Sequence, residues 1–144
     1  MVQVDFHILN SADGQRRQVY ACRVVEKAWQ RGHRIFVRVA DDTVAATMDN
    51  LLWTFRDRSF LPHTVDGPGA APEPILIGTG DGPERGDADI AVNLAPSAPG
   101  APEQFTRIME IGDQEPETLR AARERFRWYV AQGWQPQHHA VEAP

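Results

Sequence analysis

The sequence predicts an α/β protein: one domain with a largely parallel central sheet flanked by helices. Its 144 residues and 42% hydrophobic content suit one compact domain of the commonest size and leave too little chain for two. Short segments of strand character alternate with longer segments of helical spacing, the order expected of strands joined by crossover helices. Several of the short segments are continuous apolar runs, as in strands buried on both faces.

In the opening segment Val2, Val4, Phe6 and Ile8 alternate with Gln3, Asp5 and His7, a period of two that predicts a strand over residues 2–9. A turn cluster, residues 10–14, follows. Gln18, Cys22, Val25 and Trp29 then recur at helical spacing, and Gly32 stands where a helix-terminating glycine is expected. Residues 35–39 are rich in branched and aromatic side chains and predict a second strand. Asp41 or Asp42 is placed to cap a second helix carrying Val44, Ala45, Met48, Leu51 and Leu52, with Trp53 and Phe55 at its far end.

Residues 57–74 break the periodicity and read as a hydrophobic corner followed by a loop rich in Pro and Gly. Short buried strands are expected at 75–77, 89–94 and 105–111, with loops at 78–86 and 96–102. Pro116 opens a long helix to about residue 132, with Leu119, Ala122, Phe126, Tyr129 and Val130 as its core stripe and Gly133 beyond its end. The expected division is an α/β domain over residues 1–134 and a flexible C-terminal tail over 135–144.

Fifteen Lys and Arg against 20 Asp and Glu give a formal charge of -5, which argues against the globally basic surface of most direct nucleic-acid binders. One cysteine supports neither an internal disulfide framework nor a cysteine zinc site, and fits a reducing cytoplasm. No apolar window is long enough to span a membrane, and the N-terminus reads as a strand rather than a signal peptide.

An α/β layout invites a nucleotide site, and the glycine-rich loop 78–86 follows an apolar run. It leads into Pro83 and then a strand, without the Lys and Ser/Thr of a phosphate loop or a helix behind it, so a flexible connection explains it better. The five histidines and Cys22 show no metal-ligand spacing, and Cys22 falls on the buried face of the first helix. No catalytic constellation, cofactor or metal is expected.

Two features carry more information. Arg120, Arg123 and Arg127 form a basic stripe bordering an apolar edge that contains Phe126. Such a border suits a peptide with acidic groups and a terminal hydrophobe, because guanidinium groups grip carboxylates while the edge buries a ring. From composition and spacing alone, a solvated face paired with Glu117 and Glu124 is the better explanation of the stripe, since surface ion pairs on helices are common and weak. The second feature is Trp53, Phe55, Phe60 and Leu61, aromatic and apolar residues concentrated in a connection. They either close the core or anchor a partner chain, including a second copy of this one.

The order of these motifs resembles the DNA polymerase III chi subunit family of clamp-loader accessory proteins. The resemblance rests on Val4-Asp-Phe-His-Ile-Leu9, Ala28-Trp-Gln-Arg-Gly-His-Arg34, Leu52-Trp53 with Ser59-Phe-Leu-Pro-His63, Pro74-Ile-Leu-Ile77, Asp89-Ile-Ala-Val-Asn-Leu94, Phe105 with its strand, and Ala122-Arg-Glu-Arg-Phe126 leading to Tyr129 and Gly133. It implies a fold like that of nucleotide-binding proteins without their phosphate loop, and no catalysis. It further implies binding of the acidic, Phe-terminated tail of single-stranded DNA-binding protein. Arg123 grips that tail with Arg127 and Phe126 beside it, while Arg120 supplies the charge for which the family lysine aligns nearer Leu119. By the same resemblance Phe60, with Trp53 and Pro62, meets a psi-like clamp-loader subunit. The implied protein is a cytoplasmic replication adaptor that reaches DNA only indirectly and has no membrane partner. The alternative, from the α/β pattern alone, is a small nucleotide-binding protein or enzyme using the carboxyl ends of the strands.

Overall fold

In the computed structural model, which describes residues 2–58, 60–84 and 87–144, the alternating opening segment is a strand, Gln3–Leu9 (β1). The helix Gly14–Gln30 (α1) begins where the Asp13 carboxylate accepts the Gln15 N–H at 2.9 Å. It ends on Gly32, whose φ of 87° lets its own N–H reach Trp29 O and the next N–H, of His33, reach Ala28 O. Ile35–Arg38 (β2) precedes Asp42–Thr54 (α2), and of the two candidate caps it is Asp41 that accepts the Val44 N–H, at 2.9 Å.

His63–Val65 (β3), Ile75–Gly78 (β4), Ile90–Asn93 (β5) and Arg107–Gly112 (β6) follow. Pro116–Ala131 (α3) starts from Glu115, which accepts the Thr118 N–H, and closes on Gly133 with the same paired bonds that end α1. Gln137–Val141 (β7) completes the chain's regular structure.

Among the described residues the strands form one seven-stranded sheet in the order β3-β4-β2-β5-β6-β1-β7, and every pairing is parallel. Strand alternation divides the core. Ile35, Val37, Ile75, Ile77 and Val92 pack with Cys22, Val25, Met48 and Leu52 of α1 and α2 on one face. Phe6, Phe36, Leu76, Ala91 and Ile108 pack with Ala122 and Tyr129 of α3 on the other, where Phe105 stacks on Phe36 at 6.4 Å. This is the α/β class expected, with the parallel arrangement extending to every strand.

Three expectations change. Residues 57–74 contain β3, a strand of three residues whose single neighbour is β4, too short to show any period. The C-terminal residues expected to be a loose tail contain β7, which pairs with β1 from Asp5–Gln137 to Leu9–Val141. Side-chain hydrophobicity does not mark β7, because its residues are exposed at a sheet edge and its order comes from the backbone ladder. Further bonds hold it there: His139 Nε2 lies 3.1 Å from Asp5 Oδ1, and the Ala143 N–H donates to Asn10 Oδ1 at 2.9 Å.

The third change is in α3, where Val130 is 51% exposed and Arg125 is buried instead. Glu110 of β6 permits this. It accepts from Arg125 Nε at 2.8 Å, from the Tyr129 hydroxyl at 2.7 Å and from Asn93 Nδ2 at 2.9 Å, so the buried carboxylate and guanidinium neutralise each other. Burial and the Glu110 charge push the Tyr129 phenol above its ordinary range, keeping it a hydroxyl donor.

Candidate functional site

Two surfaces stand out, at opposite edges of the sheet. The first is a groove of about 450 Å³ between α3 and the edge formed by β1 and β7. Its apolar surface comes from Phe6 and Ile8, which the alternation of β1 points toward α3, and from Leu119, Ala122 and Phe126 one helical turn apart. The Phe126 ring packs on Phe6 at 5.3 Å, which fixes the apolar wall. Arg123 and Arg127, four residues apart on α3, line the same groove with Gln114 and with His138 of β7.

The arginine stripe therefore divides. Arg120 turns to a different hollow, shared with Arg17 and Arg125, and is held by Glu117 at 2.9 Å and Glu124 at 2.6 Å. Those carboxylates push its pKa up. Arg123 and Arg127 are exposed and make no ion pair among the described residues, and no carboxylate lines their groove. The groove thus combines an apolar floor with cations that have no ion-pair partner among the described residues, which suits a carboxylate attached to a hydrophobic group. Phe6 and Ile8 were legible as core candidates but not as groove residues, since only the placement of α3 over β1 gives them that role. His138 carried no signal.

The second surface follows α2. The apolar cluster splits there: Leu61 is 1% exposed and Phe55 packs against the core, whereas Trp53 is 49% and Phe60 80% exposed. Pro62 is half-buried, and Ser59 of the same motif lies outside the described residues. His63 anchors this connection, with its ring nitrogens 2.6 Å from Leu61 O and 3.0 Å from Asp49 O, and its ring 4.3 Å from that of Trp53. An exposed Phe, and a half-exposed Trp held against a fixed ring, are the kind of anchors that dominate protein interfaces.

Elsewhere, Cys22 is fully buried and burial pushes its thiol up to about 12, which keeps it an unreactive core residue. Beyond β4 the glycine-rich segment is tied down by side chains, the Asp66 carboxylate accepting the Glu84 N–H and Asp81 accepting the Gly100 N–H. The chain order passes from β4 to β5 with no helix between them among the described residues, and Arg85 and Gly86 lie outside those residues. Among the described residues no helix is long and apolar enough to cross a membrane.

Residues 1–137 match the protein family described as DNA polymerase III chi subunit, HolC. A Pseudomonas aeruginosa protein named DNA polymerase III subunit chi is 37% identical over 141 residues, 98% of each chain. Proteins of the same name from Haemophilus influenzae and Escherichia coli are 25% identical over 130 residues and 26% identical over 114, covering 90% and 78% of each chain respectively. With a match that runs from the first strand through the groove-forming helix, the chain belongs to the DNA polymerase III chi subunit family.

Proposed function

We propose that this protein is a non-catalytic replication adaptor, joining the clamp loader to single-stranded DNA-binding protein by holding that protein's acidic C-terminal tail. The observation that carries the reading is the α3 groove, where Arg123 and Arg127, without an ion-pair partner among the described residues, border a floor of Phe6, Ile8 and Phe126. A terminal carboxylate accepts from the arginines while the terminal Phe ring lies on the apolar floor. Arg120, engaged with two glutamates, flanks the groove and attracts acidic residues further along the tail. The exposed Phe60, with Trp53 and Pro62, is the face for a psi-like clamp-loader subunit. The net charge of -5 agrees with an adaptor that reaches DNA through its partners.

Calorimetric titration with a short acidic peptide ending in Pro-Phe and a free carboxylate tests this, beside the same peptide without its last residue. Saturable binding that weakens with salt and disappears with the terminal Phe is expected. Arg123→Ala should weaken it about tenfold, equivalent to roughly 1.4 kcal/mol for a charge-assisted contact at a groove rim. Equal affinity for both peptides would overturn the tail reading. Unchanged affinity in Arg123→Ala would remove only that residue's role.

A further inference from the structure

On the face of the sheet opposite the groove, the last turns of α1 stand over β1 and β6 and leave a hollow of about 200 Å³. Lys27, Arg31, Arg107, His7, His33 and Tyr20 supply its polar lining, and no carboxylate lines it. This is a strong local departure from a chain with more acidic than basic residues.

The hydrogen bonds show which donors are available. Arg107 gives Nε to Asp5 at 3.0 Å, and its two terminal nitrogens have no partner among the described residues. His33 places Nδ1 2.5 Å from Asp89 Oδ2, and His7 places Nδ1 2.5 Å from the Tyr20 hydroxyl; neither Nε2 is engaged among the described residues. Lys27 and Arg31, exposed and one turn apart, make no ion pair there either. Cations near a helix C-terminus offset its dipole, which accounts for Lys27 and Arg31. It does not account for Arg107 and His7, which reach the same hollow from β6 and β1.

We propose that this hollow is an oxyanion site that takes a phosphate group, with Lys27, Arg31 and the free face of Arg107 as its cations. Asp5 and Asp89 orient Arg107 and His33 from outside the lining and leave the inward donors to the ligand. A phosphate offers several strong acceptors and fits a hollow of this size, whether it comes free in solution or as part of a nucleic-acid backbone. Neither source uses the peptide groove, so this site stands or falls apart from the tail reading.

The probes are inorganic phosphate and a short oligothymidylate. Each is titrated into the full chain at constant ionic strength against chloride, with the His7 and His33 ring resonances followed by NMR. Saturable shifts beyond the chloride control are expected. They should weaken at least tenfold in the Lys27→Gln, Arg31→Gln double variant, whose exposed substitutions forfeit the helix-dipole contribution and should lower the melting temperature by only a few degrees, and persist in Arg123→Glu on the other face. A response to phosphate alone assigns the site to a small ligand, and a response to the oligonucleotide alone assigns it to a backbone phosphate. No shift with either probe overturns the proposal in the wild-type protein without recourse to variants. An equal loss in Arg123→Glu overturns the location.

Discussion

Glu110 fixes where α3 can lie. Its two oxygens hold Arg125, Tyr129 and Asn93, so a helix and two strands meet on one fully buried carboxylate. Glu110→Leu removes the charge that neutralises Arg125 and the acceptor of the Tyr129 hydroxyl, and should cost about 3–5 kcal/mol in urea unfolding. Adding Arg125→Met should recover most of that loss, since a stranded charge rather than lost packing is the cause. A loss below about 1 kcal/mol in the single variant would show that water or another group replaces Glu110. His7 offers a different residue-scale test. Burial first, then the neighbouring His139 and Arg107, hold its pKa below the ordinary value, while Asp5 opposes them. The folded state therefore binds the His7 proton less readily than the unfolded chain. Its contribution to stability is complete above about pH 6.5 and is lost as the pH falls through the lower folded-state value. The urea midpoint should fall over that acid window, and His7→Gln should flatten the fall. An identical slope in the variant would assign it to other groups.

At the scale of elements, β7 both completes the sheet edge and forms one side of the groove through His138. Deleting residues 135–144 exposes the edge of β1 and removes Val141 and Ala143 from their places against the core. A loss of about 1–3 kcal/mol in stability is expected from the missing ladder bonds and apolar contacts. Affinity for the acidic peptide should fall severalfold, and full affinity in the truncated chain would show that β7 is no part of the site. This strand also marks the limit of what pattern can reveal. Period-two alternation located β1, and capping residues located the end of α1, the start of α2 and both ends of α3, because those signals are local. Gln137–Val141 has no such pattern, as an exposed edge strand is specified by backbone pairing with a distant segment. Arg125 was missed for a related reason: a cation inside an amphipathic helix reads as surface unless its carboxylate, 15 residues away on a neighbouring strand, is known to face it. The groove was half legible. Arg123, Phe126 and Arg127 follow from helical spacing, but their separation from Arg120 depends on Glu117, Glu124 and the line along which α3 crosses β1.

Across the whole molecule, sheet order decides whether two partners can bind together. The aromatic surface lies beside β3 and α2, whereas the groove lies at β1 and β7 under α3, on the other face. Six interstrand steps separate the edge strands β3 and β7. At about 4.8 Å per step, that is roughly 29 Å across the sheet. A tail peptide and a psi-like subunit therefore need not touch. The buried parallel strands between them offer no hinge, so binding at one edge should leave affinity at the other unchanged within about twofold. Phe60→Ala should weaken association with a psi-like subunit by about 2 kcal/mol, the scale of a truncated interface anchor, and leave peptide affinity intact. Arg123→Ala should do the reverse. The measurement is a peptide titration with and without the saturating subunit, repeated for both variants. Independent sites would make the chain a bridge, able to hold the clamp loader while the tail exchanges. Displacement of the peptide by the subunit would place both contacts on one surface, and the bridging proposal would fail even if each partner bound alone.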